Sequence, residues 1–250
     1  MRQFRAVFIA VLAAVSVART QQLTIAAAAN LRGVADEIDS VFFKQSGMAA
    51  QFIYGASGTL TNQIRNGAPF DLFLSADTTY VNALYRDSLT AGPPRIYAYG
   101  TLVLWFRNKV DTSLGLNALL NDDVHSIAIA NPLNAPYGIA ALQSMKFFKV
   151  FEKVKPKLVY GESISQVNNY VGTRSVDAAF TAKSAMKAIG GRSGGTWTVV
   201  ADSMHEPIAQ GMATLRYGAA HHPETARAFY NLLFSAQAAA LLRSYGYSAP

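Results

Sequence analysis

The sequence predicts an α/β chain folded as two lobes, each a mostly parallel sheet flanked by helices. Three observations lead there. Short β-prone runs alternate with runs of helical periodicity along almost the whole length, the pattern of βαβ units. The alternation stops at an extended stretch, Tyr99 to Arg107, and then begins afresh with no flexible linker. At 250 residues the chain is long for one ordinary domain and short for three.

The first series opens with a strand at Leu23 to Ala28. A helix follows with Leu31, Val34, Ala35, Ile38 and Phe42 on one face and Gly47 at its end; Asn30 stands at the N-cap position. Gln51 to Tyr54 is a second strand, and Gly55-Ala56-Ser57-Gly58 turns it into a helix carrying Leu60 and Ile64 and closed by Gly67. Asp71 to Ser75 is a third strand, with Ala76-Asp77 capping the helix after it. In the second series Ser126 to Ala130 is a strand, Pro136-Tyr137-Gly138 a turn, and Ile139 to Phe151 an amphipathic helix. Lys157 to Tyr160 and Val176 to Phe180 are strands on either side of a short helix that begins over Glu162 to Gln166. Gly190 to Gly195 reads as a glycine-rich turn, Trp197 to Val200 and Ile208 to Leu215 as strands. Two helices close the chain, Pro223 to Leu233 and Ala236 to Tyr245, the second capped by Ser235. Extended segments near Gly100 and Gly211 are the expected crossings. They assign residues 22–100 with 214–250 to one lobe and 101–213 to the other.

Residues 1–18 read as a secretory signal peptide. Arg2 and Arg5 precede an uncharged apolar run, Ala6 to Val15, and small residues Ser16-Val17-Ala18 precede the expected cut, with Thr20 as the alternative. The run is too short to span a bilayer as a helix, which takes roughly 20 apolar residues. Removing two arginines takes the formal charge from +7 to 7 − 2 = +5. The remaining basic residues are scattered, which argues for a solvated basic surface and against nucleic acid as a partner. Hydrophobic residues at 51% against charged residues at 15% exclude a disordered chain. The absence of cysteine excludes disulfides, thiolate metal sites, cysteine nucleophiles and lipid attachment through an N-terminal cysteine.

Ligands of open α/β sheets bind beyond the carboxyl ends of strands, so the strand-to-helix turns are where a site is expected. Those turns hold Asn30, Ser57-Gly58-Thr59, Pro136-Tyr137-Gly138, Ser163-Ile164-Ser165 and Thr181-Ala182, small polar residues with no acid or base among them. Glycine and serine let a ligand approach the backbone, and a helix N-terminus presents free N–H groups and roughly half a positive charge. Together they suit an anion. Singly, Asn30 and Ser165 read as helix caps and Gly55 to Gly58 as a tight turn; convergence from two lobes favours a site. Gly55-Ala56-Ser57-Gly58 is one residue short of a nucleophile elbow and lacks the lysine of a phosphate-binding loop. His221 and His222 are adjacent, with no third ligand nearby in sequence, and read as solvated. The same solvated reading applies to Asp36-Glu37 and Asp122-Asp123.

These residues carry a resemblance over nearly all of the chain after the signal. Ala26 to Leu31, Tyr54 to Leu60 with Gln63-Ile64, and above all Gly67 to Asp77 resemble the periplasmic molybdate-binding proteins of bacterial ABC transporters, two-lobed binding proteins of type II. Asn131-Pro132, Ala135 to Gly138, Gly161 to Ile164, Gln237 to Ala239 and Tyr245-Gly246 extend the match. The resemblance implies that Asn30 and Ser57 donate hydrogen bonds from the first lobe through side-chain and backbone groups. It implies that Tyr137 and Ile164 donate backbone N–H from the second. Thr181 falls near a position that is a ligand-contacting tyrosine in some relatives. The implied cargo is molybdate or tungstate, held as an oxyanion with no direct metal-ion ligand and no cofactor. The implied partner is an inner-membrane permease, and the expected protein is a periplasmic monomer without enzymatic activity. Two alternatives stand beside this: another oxyanion such as sulfate or thiosulfate, and an exported α/β hydrolase using Ser57.

Overall fold

The computed structural model describes residues 22–250; the expected signal segment lies outside them. Two five-stranded sheets form. The first series gives β1 (Leu23–Ala28), α1 (Arg32–Ser46), β2 (Ala50–Gly55), α2 (Ser57–Arg65), β3 (Leu72–Ser75), α3 (Thr78–Arg86) and β4 (Arg95–Gly100). The second gives β5 (Leu102–Phe106), β6 (Ile127–Ala130), α4 (Pro136–Phe147), α5 (Phe151–Val154), β7 (Leu158–Gly161), α6 (Ile164–Gly172), β8 (Ala178–Ala182), α7 (Lys183–Ser193) and β9 (Thr196–Val199). The chain then returns as β10 (Ile208–Thr214) and ends with α8 (Arg216–His221), α9 (Pro223–Leu233) and α10 (Ala236–Ser244).

Strand order is β2-β1-β3-β10-β4 in the first sheet and β7-β6-β8-β5-β9 in the second. β1 is parallel to β2 and β3, and β6 to β7 and β8. Only β10 in the first sheet and β5 in the second run against their neighbours. The crossings explain this. A chain that leaves one sheet at the carboxyl ends of its strands enters the facing sheet from the same side, so the first strand after each crossing runs backwards.

Three sequence expectations shift. The stretch Tyr99 to Arg107 is two strands in different sheets, parted at Thr101 where the chain crosses; the Thr101 hydroxyl donates to Gly246 O (3.1 Å). The return crossing falls over residues 200–207 and not at 213, because β10 pairs with β3 and β4 and so belongs to the first lobe. The turn expected over Gly190 to Gly195 shrinks to Gly194-Gly195, both at positive φ, because α7 continues to Ser193. Packing of α7 on α1 and α6 outweighs the roughly 1 kcal/mol that each helical glycine costs.

Each lobe is pinned by one buried aspartate. In the first, Asp71 accepts from the Thr24 N–H (2.7 Å) and from His222 Nδ1–H (2.8 Å), so His222 is this carboxylate's partner rather than a solvated residue. In the second, Asp177 accepts from the N–H groups of His125 and Ser126 and from the Ser126 hydroxyl, and pairs with Arg107. Burial raises the Asp177 pKa, but the Ser126 hydroxyl, these amides and Arg107 outweigh it, and the carboxyl sits below its ordinary value.

The lobes are closed on each other. The Gly58 N–H donates to Asn134 O (2.9 Å) and the Ser184 hydroxyl to Asn30 O (2.9 Å). Ala28, Ala29, Ala56 and Ala76 of the first lobe join the apolar core of the second.

Candidate functional site

A small cavity lies where the carboxyl ends of the two sheets meet, lined from the first lobe by Asn30, Gly55, Ala56, Ser57 and three alanines, and from the second by Ala135, Pro136, Tyr137 and Ile164. No ionised side chain lines it. Alanine and glycine at most positions keep the backbone within reach of an occupant.

Three helices, α2, α4 and α6, begin at this cavity, and none has a capping side chain or an acidic residue in its first turn. Elsewhere the chain does cap helices: Asp77 accepts from the Tyr80 N–H at α3, and Ser235 from the Ala238 N–H at α10. The first N–H groups of a helix have no intrahelical acceptor. Among the described residues, those of Ser57, Tyr137 and Ile164 have no acceptor from another segment either. The uncapped ends therefore present donors and the positive ends of three helix dipoles to one point.

Ser57 is buried, and its Oγ accepts from the Ala76 N–H (3.0 Å). That bond fixes the oxygen and leaves the hydroxyl hydrogen to be given away. Gly138 holds the start of α4 against β6: a methyl group there would lie 2.0 Å from Ala130 O, so only glycine fits.

Asn30 is buried at the cavity, but it is not a helix cap. The chain enters α1 through a 3₁₀ turn, Ala29–Leu31, and Asn30 Nδ2 donates to Gln210 Oε1 (2.9 Å) and Tyr247 OH (2.8 Å). Gln210 Nε2 in turn donates to Ala76 O (3.0 Å). Both amide hydrogens of Asn30 are thus spent on tying its turn to β10 and to the chain's tail, which leaves its backbone N–H as the donor without an acceptor among the described residues. Sequence reasoning missed Gln210. Its signal was a glutamine inside the apolar run Ile208 to Leu215, where it is fully buried.

Thr181 does not line the cavity. It lies on β8, and its hydroxyl donates to Asn168 Oδ1 on α6. That bond ties β8 to α6 and takes the hydroxyl, and the expected fifth contact is absent from the cavity lining. Among the described residues no cluster of His, Asp and Glu is arranged to hold a metal ion.

The arrangement is one of neutral donors without a carboxylate or a positioned base, the donor set that a fully deprotonated oxyanion requires. A family model for bacterial extracellular solute-binding proteins matches residues 23–248. The molybdate-binding protein ModA of Rhodobacter capsulatus is 36% identical over 229 residues, 90% of this chain and 88% of that one. ModA of Azotobacter vinelandii is 34% identical over 232 residues, 92% of this chain and 91% of that one. The solved periplasmic molybdate-binding protein of Azotobacter vinelandii has a TM-score of 0.85 at 27% identity, covering 91% of this chain and 99% of that one. With the match running from the first strand to the tail that locks Asn30, the chain belongs to the bacterial extracellular solute-binding proteins.

Proposed function

We propose that the protein captures molybdate, and tungstate alongside it, in the inter-lobe cavity and delivers it to an ABC permease in the inner membrane, working in the periplasm as a monomer. The observation that carries this is the convergence of three uncapped helix N-termini from two lobes on one cavity with no ionised side chain. The donors assigned to the anion are the backbone N–H groups of Asn30, Ser57, Tyr137 and Ile164 and the Ser57 hydroxyl. The relatives named for molybdate support the choice of ion.

Charge and size make the selection. Molybdate, tungstate and sulfate are tetrahedral dianions offering only acceptors, and sulfate is the smallest. Phosphate keeps a proton at neutral pH and needs an acceptor that a donors-only site withholds. A hydrolase acting through Ser57 is disfavoured, because the hydrogen-bond partner of Oγ is the Ala76 amide and not a general base.

Thermal melting with equal concentrations of the four anions tests the reading. A ligand specific to the native state at a thousandfold excess over Kd adds about 4.1 kcal/mol, which for a chain of this size raises Tm by roughly 8–16 °C. Molybdate and tungstate should each do so. Sulfate should do far less, since each donor it fails to reach costs about 1–3 kcal/mol. Equal stabilisation by sulfate would move the assignment to that ion, and no shift with any anion would remove oxyanion capture altogether.

A further inference from the structure

The crossings place the hinge beside β4 and β5, so the edge strands β2 and β7 flank the mouth on the far side of the cleft. Arg32, the first residue of α1, lies across that mouth. Its Nε donates to Ser165 Oγ on α6 (3.3 Å), and its guanidinium carbon sits 4.1 Å from the centre of the Tyr54 ring at the end of β2. A groove of about 470 Å³ opens beneath it, lined among others by Asn30, Arg32, Ser165, Asn168 and Asn169, with Arg32 the only ionised residue of the lining. The groove meets the anion cavity at Asn30, and Ile164 of the cavity is bonded to Ser165 of the groove. Among the described residues Arg32 has no carboxylate within ion-pair distance; Asp36, one helical turn along α1, is the nearest acidic position on its own helix.

The geometry points to Arg32 as a latch on the cleft: its charge draws the dianion to the mouth while the lobes are open, and its bond to Ser165 then holds them shut. This rests on the oxyanion-capture reading above. Stacking on Tyr54 keeps the guanidinium over the opening instead of ranging through solvent, as cation–π contacts do for arginine. The two actions differ in physics and are separable. Attraction over a distance is screened once the Debye length falls to a few ångströms, whereas a contact between the lobes is not.

The test is stopped-flow measurement of molybdate association and dissociation on the intact protein, at ~10 mM and ~500 mM NaCl, spanning Debye lengths of about 30 Å to below 10 Å. Arg32→Ala should slow association about 3- to 10-fold at low salt and hardly at all at high salt. It should speed dissociation about 1.5- to 5-fold at both, the usual worth of one exposed charged contact. Arg32→Lys should keep the salt-dependent association but dissociate as fast as Arg32→Ala, because an ammonium neither stacks flat nor offers Nε–H in that place. Ser165→Ala should change dissociation alone. If the parent chain binds molybdate and Arg32→Ala reproduces both of its rates, the latch is wrong; if Arg32→Lys matches the parent in both, the role is charge only. A parent chain that binds no oxyanion fails at the earlier step and takes the latch with it.

Discussion

The two lobes have the same architecture but hold the site in different ways. In the first, side chains set the donors: the Ala76 N–H fixes the Ser57 hydroxyl, and Gln210 and Tyr247 hold Asn30. In the second, the two residues that open helices at the cavity, Tyr137 and Ile164, have main-chain N–H groups without an acceptor; the Ile164 side chain packs, and the Tyr137 hydroxyl is buried with no hydrogen-bond partner among the described residues. The first lobe's chemistry is therefore written in residue identity, and the second's in where the backbone lies. A substitution that deletes a donor in one lobe should leave it intact in the other, and what injures the second lobe is a change in the space around its main chain.

Gly138→Ala should have the largest effect. A methyl group 2.0 Å from Ala130 O forces the start of α4 off β6. Stability should fall by about 3 kcal/mol or more, and molybdate affinity with it by at least roughly 100-fold. Near-native affinity by calorimetry would show that the α4 N-terminus is not a donor. Ser57→Ala comes next. Loss of a hydrogen bond to a charged group costs about 1.5–3 kcal/mol, or roughly 10- to 150-fold in Kd. The fold should persist by circular dichroism, and an unchanged Kd would remove the hydroxyl from the site.

Acid provides a third test, directed at the frame of the second lobe. The folded Asp177 pKa lies below its unfolded value, so its contribution is complete above the unfolded carboxyl pKa and is lost as pH falls through the folded one. Urea titrations should show Asp177→Asn less stable than the parent at pH 7, by about 1–3 kcal/mol. That gap should narrow below about pH 4, where the parent's carboxylate is itself being protonated. Affinity at neutral pH should move less than for Ser57→Ala. The smallest effect belongs to Ile164→Val. One buried methylene costs about 0.5–1.5 kcal/mol of stability, while the N–H donor remains, so Kd should change by less than about threefold. A larger change would show that the second lobe also reads side chains.

Much of this was legible in the sequence. The alternation of strands and helices appears where apolar spacing placed it, and Asp77 and Ser235 cap the helices whose starts they marked. Ser57, Tyr137 and Ile164 lie at the strand-to-helix turns and line one cavity between the lobes. What escaped depends on partners distant in sequence. The β10 run has ordinary strand character, and nothing local says that it lies between β3 and β4. Asn30 has every local mark of a cap, yet its amide is claimed by residues 180 and 217 positions away. Thr181 lies at a plausible turn, but Asn168 on a neighbouring helix takes its hydroxyl.

The place of β10 also sets an order in time. All five strands of the second lobe come from one unbroken stretch, residues 102–199, so its sheet has all its strands as soon as that stretch exists. The first lobe begins earlier along the chain yet lacks an inner strand until residue 214, and the turn at Asn30 lacks its clasp until Tyr247. A chain appearing from its amino end makes the second lobe's pairings while the first is still an open-edged sheet, and the earlier-made half is finished last. The inter-lobe cavity, which needs both halves, is the final thing the nascent molecule acquires.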